Sequence, residues 1–216
     1  MNHLSVTQEF LLCTLSEKGK YSSMDMTKGV CLVAGCVLEL LMDGVVCMEG
    51  KKIFTVAPLL KEKDYLRTVY ERIRQKGPVK VESVVEYFSF QFSEKNLYAL
   101  IGDIGDTLAA AGCAKKEEGG LLRKIFVYIP NAQAKDHVIQ KIRAELLEDG
   151  ALSEDIVALT ALLQKSGDLP RYFSAYEKKD LKARLREIKN SSENQLVNKM
   201  IEYIENLFAM IVIAAT

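Results

Sequence analysis

The chain has 216 residues with enough apolar content to bury the core of one large domain. Its 29 basic and 29 acidic side chains cancel, so no long-range field draws in nucleic acid or anionic lipid, and any such contact needs a local basic patch. Few prolines and many helix formers point to a mainly α fold, and no repeat or low-complexity stretch divides the span 1–216, which reads as a single domain.

In chain order, the run LSVTQEFLLCTL at 4–15 predicts a first helix, because Ser5 and Gln8 have the spacing of a capping box. A turn-rich loop at 17–23 follows. The segment 24–42 predicts a second helix with Val30, Val33, Val37, Leu40 and Leu41 on its apolar face, and Gly44 supplies a left-handed stop before a strand. Residues 45–48 and 53–56 form a short hairpin that Pro58 ends. The segment 61–76 is a charged amphipathic helix with Tyr65, Val69 and Ile73 on one face, closed by Gly77 and Pro78. Residues 79–90 read as a shorter helix, although the valines and aromatics leave a strand open.

Ser93 then caps a helix that turns Leu97, Leu100, Ile101, Ile104 and Leu108 inward and stops at Gly112. Residues 113–114 and 122–129 form a larger hairpin around a polar turn at 115–120. Beyond Pro130 helices are predicted over 132–147, 153–164 and 177–189, and from Ser192 to the end, where Ser192 and Gln195 repeat the capping-box spacing. The apolar run 207–215 is short of the roughly 20 residues a membrane span needs. It reads as the last turns of a buried central helix, with Leu207, Phe208, Ile211 and Val212 inward. The expected fold is therefore a single helical domain with peripheral β-hairpins and a buried C-terminal helix.

The first five residues lack a basic region and a continuous apolar run, so no secretory signal is expected. The cysteines, Cys13, Cys31, Cys36, Cys47 and Cys113, sit mostly within apolar runs and suit core positions in a reducing compartment. Neither histidine, His3 nor His137, stands near a cysteine pair, and no metal is implied. No phosphate loop, nucleophile elbow or base with a partner can be named, so catalytic residues and cofactors are expected to be absent. Glu9, Asp25 and Glu39 fall where caps and surface pairs are expected.

The order of these marks is informative: the run 4–15, the run AGCVLELLMDG at 34–44 passing into Val45 and Val46, the helix ending in Ala111 and Gly112, and the hairpin closing on Tyr128, Ile129 and Pro130. Added to them are Ala158, Leu159, Leu162 and Leu163 and the final apolar run. From about Leu4 to Thr216 the chain resembles the Golgi phosphoprotein 3-like family, peripheral membrane proteins that read a phosphoinositide headgroup, phosphatidylinositol 4-phosphate. The resemblance implies a non-enzymatic peripheral membrane or adaptor protein, cytoplasmic or on the cytoplasmic face of a membrane. Its implied partners are an acidic phospholipid surface, a second copy of the chain or an unidentified protein. With no N-terminal disordered arm and a changed headgroup pocket, the chain is expected to be a divergent, prokaryotic-type member.

In that family a Trp before the second helix and three Arg build the pocket. Counting from Glu39 and from Gly112 puts those positions at Met24, Val33, Tyr98 and Ile101, and this chain has no Trp at all. Apolar side chains cannot supply the charge-assisted donors a phosphate needs, so these four are expected to be ordinary packing and lipid specificity is in doubt. Lys20, Tyr21 and Lys28 are the place where a headgroup site of different composition would lie.

The family's hairpin, implied to mediate self-association and bilayer contact, corresponds to 117–128, which begins at Glu117 and ends at Tyr128. Leu121 and Leu122 beside Arg123 and Lys124 suit shallow insertion; equally, Ile125, Phe126 and Val127 suit covering the core. In the helix 177–189, Lys178, Lys182, Arg186 and Lys189 line one face beside Leu181, Leu185 and Ile188, a pattern fitting either an anionic surface or a solvated helix. A rival from another class is a winged-helix nucleic-acid module over 79–128. Its recognition helix, however, carries Lys95 against Glu94, Asp103 and Asp106, and only the wing adds Lys115, Lys116, Arg123 and Lys124, so nucleic acid is not expected as a partner.

Overall fold

The computed structural model describes residues 3–21, 26–89, 95–119, 125–148 and 152–190, together with Glu205 and Ala209, and its first helix begins where the sequence places a cap. Ser5 Oγ accepts from the Gln8 amide at 3.4 Å, and Gln8 Oε1 accepts from the Ser5 amide at 2.9 Å, so the box closes at the start of α1 (Val6–Thr14). The Tyr65 hydroxyl lies 2.8 Å from the same Ser5 oxygen, which ties the cap to a distant segment. Ser5→Ala is expected to cost about 1 to 2 kcal/mol, read as a lowered thermal midpoint with no change in helix content; an unchanged midpoint would show that the cap contributes nothing.

Nearly every residue of α1 is buried, and in α2 (Met26–Met42) burial is unbroken from Gly29 to Leu40. A helix buried around its whole circumference belongs inside a domain, and these two pack on each other and on the helix Glu154–Lys165, with α1 also against the helices Lys95–Ala110 and Ala132–Leu147. Gly44, at φ 65°, ends α2: the Val45 amide donates to Leu40 O at 3.0 Å and the Gly44 amide to Leu41 O at 3.1 Å. The same turn recurs at Gly112, where the Cys113 amide donates to Leu108 O at 2.8 Å.

The first hairpin, β1 (Val46–Glu49) and β2 (Lys52–Thr55), gains a third antiparallel strand, β3 (Val79–Lys80), in the order β1-β2-β3. The segment 79–90 thus divides: Val79 and Lys80 pair with Ile53 and Lys52, and α4 (Val81–Ser89) follows. The single helix expected over 61–76 is instead a 3-10 helix, Lys61–Leu66, followed by α3 (Arg67–Lys76), with a break at Lys63. That break accompanies the reach of Lys63 to Glu39 of α2 and to Asp43 just past its end.

Next come α5 (Lys95–Ala110) and a separate two-stranded ribbon, β4 (Ala114–Gly119) with β5 (Ile125–Pro130), in register from Ala114 opposite Pro130 to Gly119 opposite Ile125. Residues 115–119, expected as a turn, are strand. Their polar run lacks alternation because, among the described residues, this ribbon pairs with no other strand and is largely wet. The last described helices are α6 (Ala132–Leu147), α7 (Glu154–Lys165) and α8 (Glu177–Asn190), with a short 3-10 helix, Leu169–Tyr172, between the last two. Asn131 caps α6 and Ser153 caps α7.

The fold is mainly α with small peripheral β elements, as the sequence predicts. Leu207, Phe208, Ile211 and Val212, and the cap expected at Ser192 and Gln195, lie outside the described residues. Among the described residues α1 and α2 hold the middle of the core, and no helix is long and apolar enough to cross a membrane. Cys13, Cys31, Cys36 and Cys113 are buried, while Cys47 is exposed.

Candidate functional site

Three of the four counted headgroup positions fall where the N-terminal half of α2 meets the start of α5. There Gly29 approaches Leu97 so closely that a Cβ on it would stand 2.9 Å from Leu97 Cδ2. One turn further along each helix, Val33 is fully buried and Ile101 nearly so, with Tyr98 partly buried against the same core. These three are packing residues, and Met24 lies outside the described residues. At the alternative place, Lys28 is already held by Asp168 at 3.0 Å, and Tyr21 is buried. Asp168, itself 1% exposed, also takes Arg171 at 2.5 Å and the Ser166 hydroxyl at 3.1 Å, so it joins α2 to the turn after α7.

The β4–β5 ribbon is moored at its base by Tyr128. The Tyr128 hydroxyl donates to Asp106 Oδ1 at 2.6 Å, with Gly102 O at 3.1 Å, and burial together with Asp106 raises the phenol's pKa so that it stays protonated. Lys116, directly across the ribbon from Tyr128, reaches the same Asp106 oxygen at 2.6 Å. Two residues nearer the tip, Phe126 shares the face of Tyr128 yet is 45% exposed, with the Lys116 ammonium 4.2 Å from its ring centroid. Phe126 therefore does not cover the core. Leu121, Leu122, Arg123 and Lys124 lie outside the described residues.

On α8, Lys178 is exposed and Leu181 buried, a solvated face beside a packed one; the side chains of Lys182, Arg186 and Lys189 lie outside the described residues. The exposed stripe of α5 is Lys95, Ala99, Asp103, Asp106 and Ala110, with one base and two acids, a surface that repels a nucleic-acid backbone.

A polar cluster that the sequence reading did not assemble lies under a cleft of about 560 Å³ between the start of α1, the end of α2 and the first 3-10 helix. Glu39, 3% exposed, accepts from the Thr7 amide at 3.2 Å, from Lys63 Nζ at 2.6 Å and from the Tyr65 hydroxyl; Lys63 also meets Asp43 at 3.2 Å. Burial by itself would raise the Glu39 pKa, but the bonds from Lys63, Thr7 and Tyr65 outweigh it and hold the carboxyl below its ordinary range. Lys63, despite burial, is raised by Glu39 and Asp43, and Tyr65 is raised by burial and Glu39. A carboxylate this weakly basic, an ammonium this firmly charged and a phenol this firmly protonated are poor bases and nucleophiles at neutral pH. The cluster is a structural tie. Glu9, also expected at the surface, is likewise buried and meets Lys141 of α6 at 3.3 Å. A lone carboxylate within the apolar run AGCVLELLM was the one available clue to Glu39, since an acid on a wholly apolar helix needs a buried partner.

The family model described as Golgi phosphoprotein 3 (GPP34) matches residues 6–204, nearly the whole chain. The chain belongs to that family. No curated protein matches it. For this Golgi phosphoprotein 3 family member, Val33, Tyr98 and Ile101 show that the counted pocket positions are occupied by side chains that bear no charge and are wholly or partly packed away.

Proposed function

We propose that this chain is a non-enzymatic peripheral membrane or adaptor protein whose β4–β5 ribbon is its contact element, meeting an acidic phospholipid surface or a second copy of the chain. The observation that carries the reading is the ribbon itself. It is fastened at its base by Tyr128, Asp106 and Lys116, while further out it presents the exposed ring of Phe126, against which the Lys116 ammonium also lies. Aromatic rings and long cationic side chains suit the boundary between headgroups and acyl chains. By sequence, Leu121, Leu122, Arg123 and Lys124 continue that chemistry. The family match supports the adaptor class, and the ribbon supports the surface.

The test is flotation with phosphatidylcholine vesicles, with and without phosphatidylserine, alongside sedimentation equilibrium of the protein alone. Wild type is expected to bind the anionic vesicles or to self-associate. The pair Leu121→Asp and Leu122→Asp is expected to weaken whichever is seen while leaving the thermal midpoint nearly unchanged. A large loss of stability would place the leucines in the core, and a wild type that neither binds nor associates would end the proposal. Phosphatidylinositol 4-phosphate is expected to recruit the chain no better than phosphatidylserine at equal vesicle charge, because the buried Val33 and Ile101 offer no donors. Selective capture by that one lipid would refute this.

A further inference from the structure

Where the exit of α1 meets α6 and the 3-10 helix Leu169–Tyr172, a second cavity of about 660 Å³ opens. Three cations line it: Lys135 and Arg143, eight residues apart on one face of α6, and Arg171 from the 3-10 helix. Two exposed carboxylates, Glu17 and Asp136, stand on the same wall. How the cations are already held decides what the cavity can accept.

Lys135 Nζ donates to Leu15 O at 2.9 Å and lies 5.9 Å from the Tyr172 ring centroid; among the described residues it has no carboxylate at ion-pair distance. An ammonium has three N–H groups, and one carbonyl and a ring face leave it undersupplied with acceptors. Burial first, and then Arg171, hold it below the usual lysine range. Arg171 Nη1 meets Asp168 Oδ1 at 2.5 Å, but that oxygen also receives Lys28 at 3.0 Å, so one carboxylate serves two cations. Arg143 Nη2 donates to Tyr172 O at 2.6 Å, which fixes the 3-10 helix against α6. Its Nε is shut off from solvent without a hydrogen bond, with Glu177 Oε1 3.5 Å away.

We propose that this cavity binds a phosphorylated anion, with Lys135 and Arg171 taking its phosphate oxygens beside the Tyr172 ring. The site is distinct from the counted headgroup positions on α2 and α5 and from the ribbon surface. A point-like ammonium and a planar fork from two different elements match a group with three acceptor oxygens better than a flat carboxylate, which the Arg171 fork alone would satisfy. The shared chemistry is a phosphate monoester, whether free in solution or on a lipid headgroup.

Calorimetric titration of the full chain with inorganic phosphate and with glycerol phosphate, at constant ionic strength, tests the soluble source. Sedimentation with phosphatidylcholine vesicles containing phosphatidic acid tests the lipid source. Saturable binding in either arm that weakens about tenfold or more in Lys135→Met and returns in Lys135→Arg supports the site, and the arm that shows it names the source. Arg171→Gln, on a side chain 64% exposed, should weaken the same arm and keeps the test decisive if Lys135→Met melts early. Absence of saturable binding in both arms, or binding equal to wild type in a folded Lys135→Met or Arg171→Gln, overturns it.

Discussion

Glu39→Ala is expected to destabilise the fold by about 3 to 5 kcal/mol, because removing one member of a buried ion pair strands the other. Three groups lose an acceptor at once: the Thr7 amide, the Tyr65 hydroxyl, which keeps only Ser5 Oγ, and Lys63, which keeps only Asp43. Denaturant midpoints at unchanged slope would measure it, and a loss under about 1 kcal/mol, the range of an exposed pair, would show that water already serves the cluster. A pH dependence follows. The folded-state pKa of Glu39 lies below its ordinary value of 4.5, so its contribution is full above that value and is lost as pH falls through the folded value. Glu9 has the opposite sign: burial raises its folded pKa, Lys141 only partly offsetting this, so the folded state takes up its proton first and acidification through that window favours folding. The stability gap between wild type and Glu39→Gln should therefore narrow well below pH 4.5. A gap independent of pH would mean that the Glu39 charge is not what the cluster uses.

Gly105→Val is expected to cost about 3 kcal/mol, as overpacking of a closed contact does, and to displace the ribbon. A Cβ at Gly105 would stand 2.6 Å from Tyr128 Cγ, Cδ2 and Cε2. Because Cγ is the root of the ring, the side chain cannot swing away without moving β5. The Tyr128 amide donates to Gly19 O at 3.4 Å on the other side, so the strand has little room to retreat. Tyr128→Phe, which loses the bonds to Asp106 and Gly102 but keeps the ring, should cost only about 1 kcal/mol and leave vesicle binding intact. If Gly105→Val melts like wild type and exchanges the amide protons of β5 no faster, the ribbon is not moored at this contact.

Local features were legible in the sequence because neighbours within one turn encode them. The Ser5 and Gln8 box, the stops at Gly44 and Gly112 and the helix Ala132–Leu147 all depend on side chains and backbone angles a few residues apart. The apolar character of 34–44 also marked α2 as a packed helix, and the Golgi phosphoprotein 3 family was recognisable from the order of such marks. The replacement of pocket cations was visible as plain residue identity at Val33, Tyr98 and Ile101.

Every pairing between distant segments depended on the assembled fold. Glu39 finds Thr7, Lys63 and Tyr65 at separations of 32, 24 and 26 residues, and no periodicity reports a partner so distant. The split of 79–90 into β3 and α4 needed β2 to be alongside, since two residues become strand only when a neighbour takes up their hydrogen bonds. Residues 115–119 looked like a turn because their side chains are polar, yet β5 supplies their ladder. Gly105 and Tyr128 meet through the return of the chain after the hairpin, and Lys135 meets Arg171 through the packing of α6 against the segment after α7. Most helices and several of their stops were set by local energies, the break at Lys63 and the strand at Val79 and Lys80 being the exceptions. Which charges are buried, and what faces them, was set by topology, because burial and pairing belong to the assembled core.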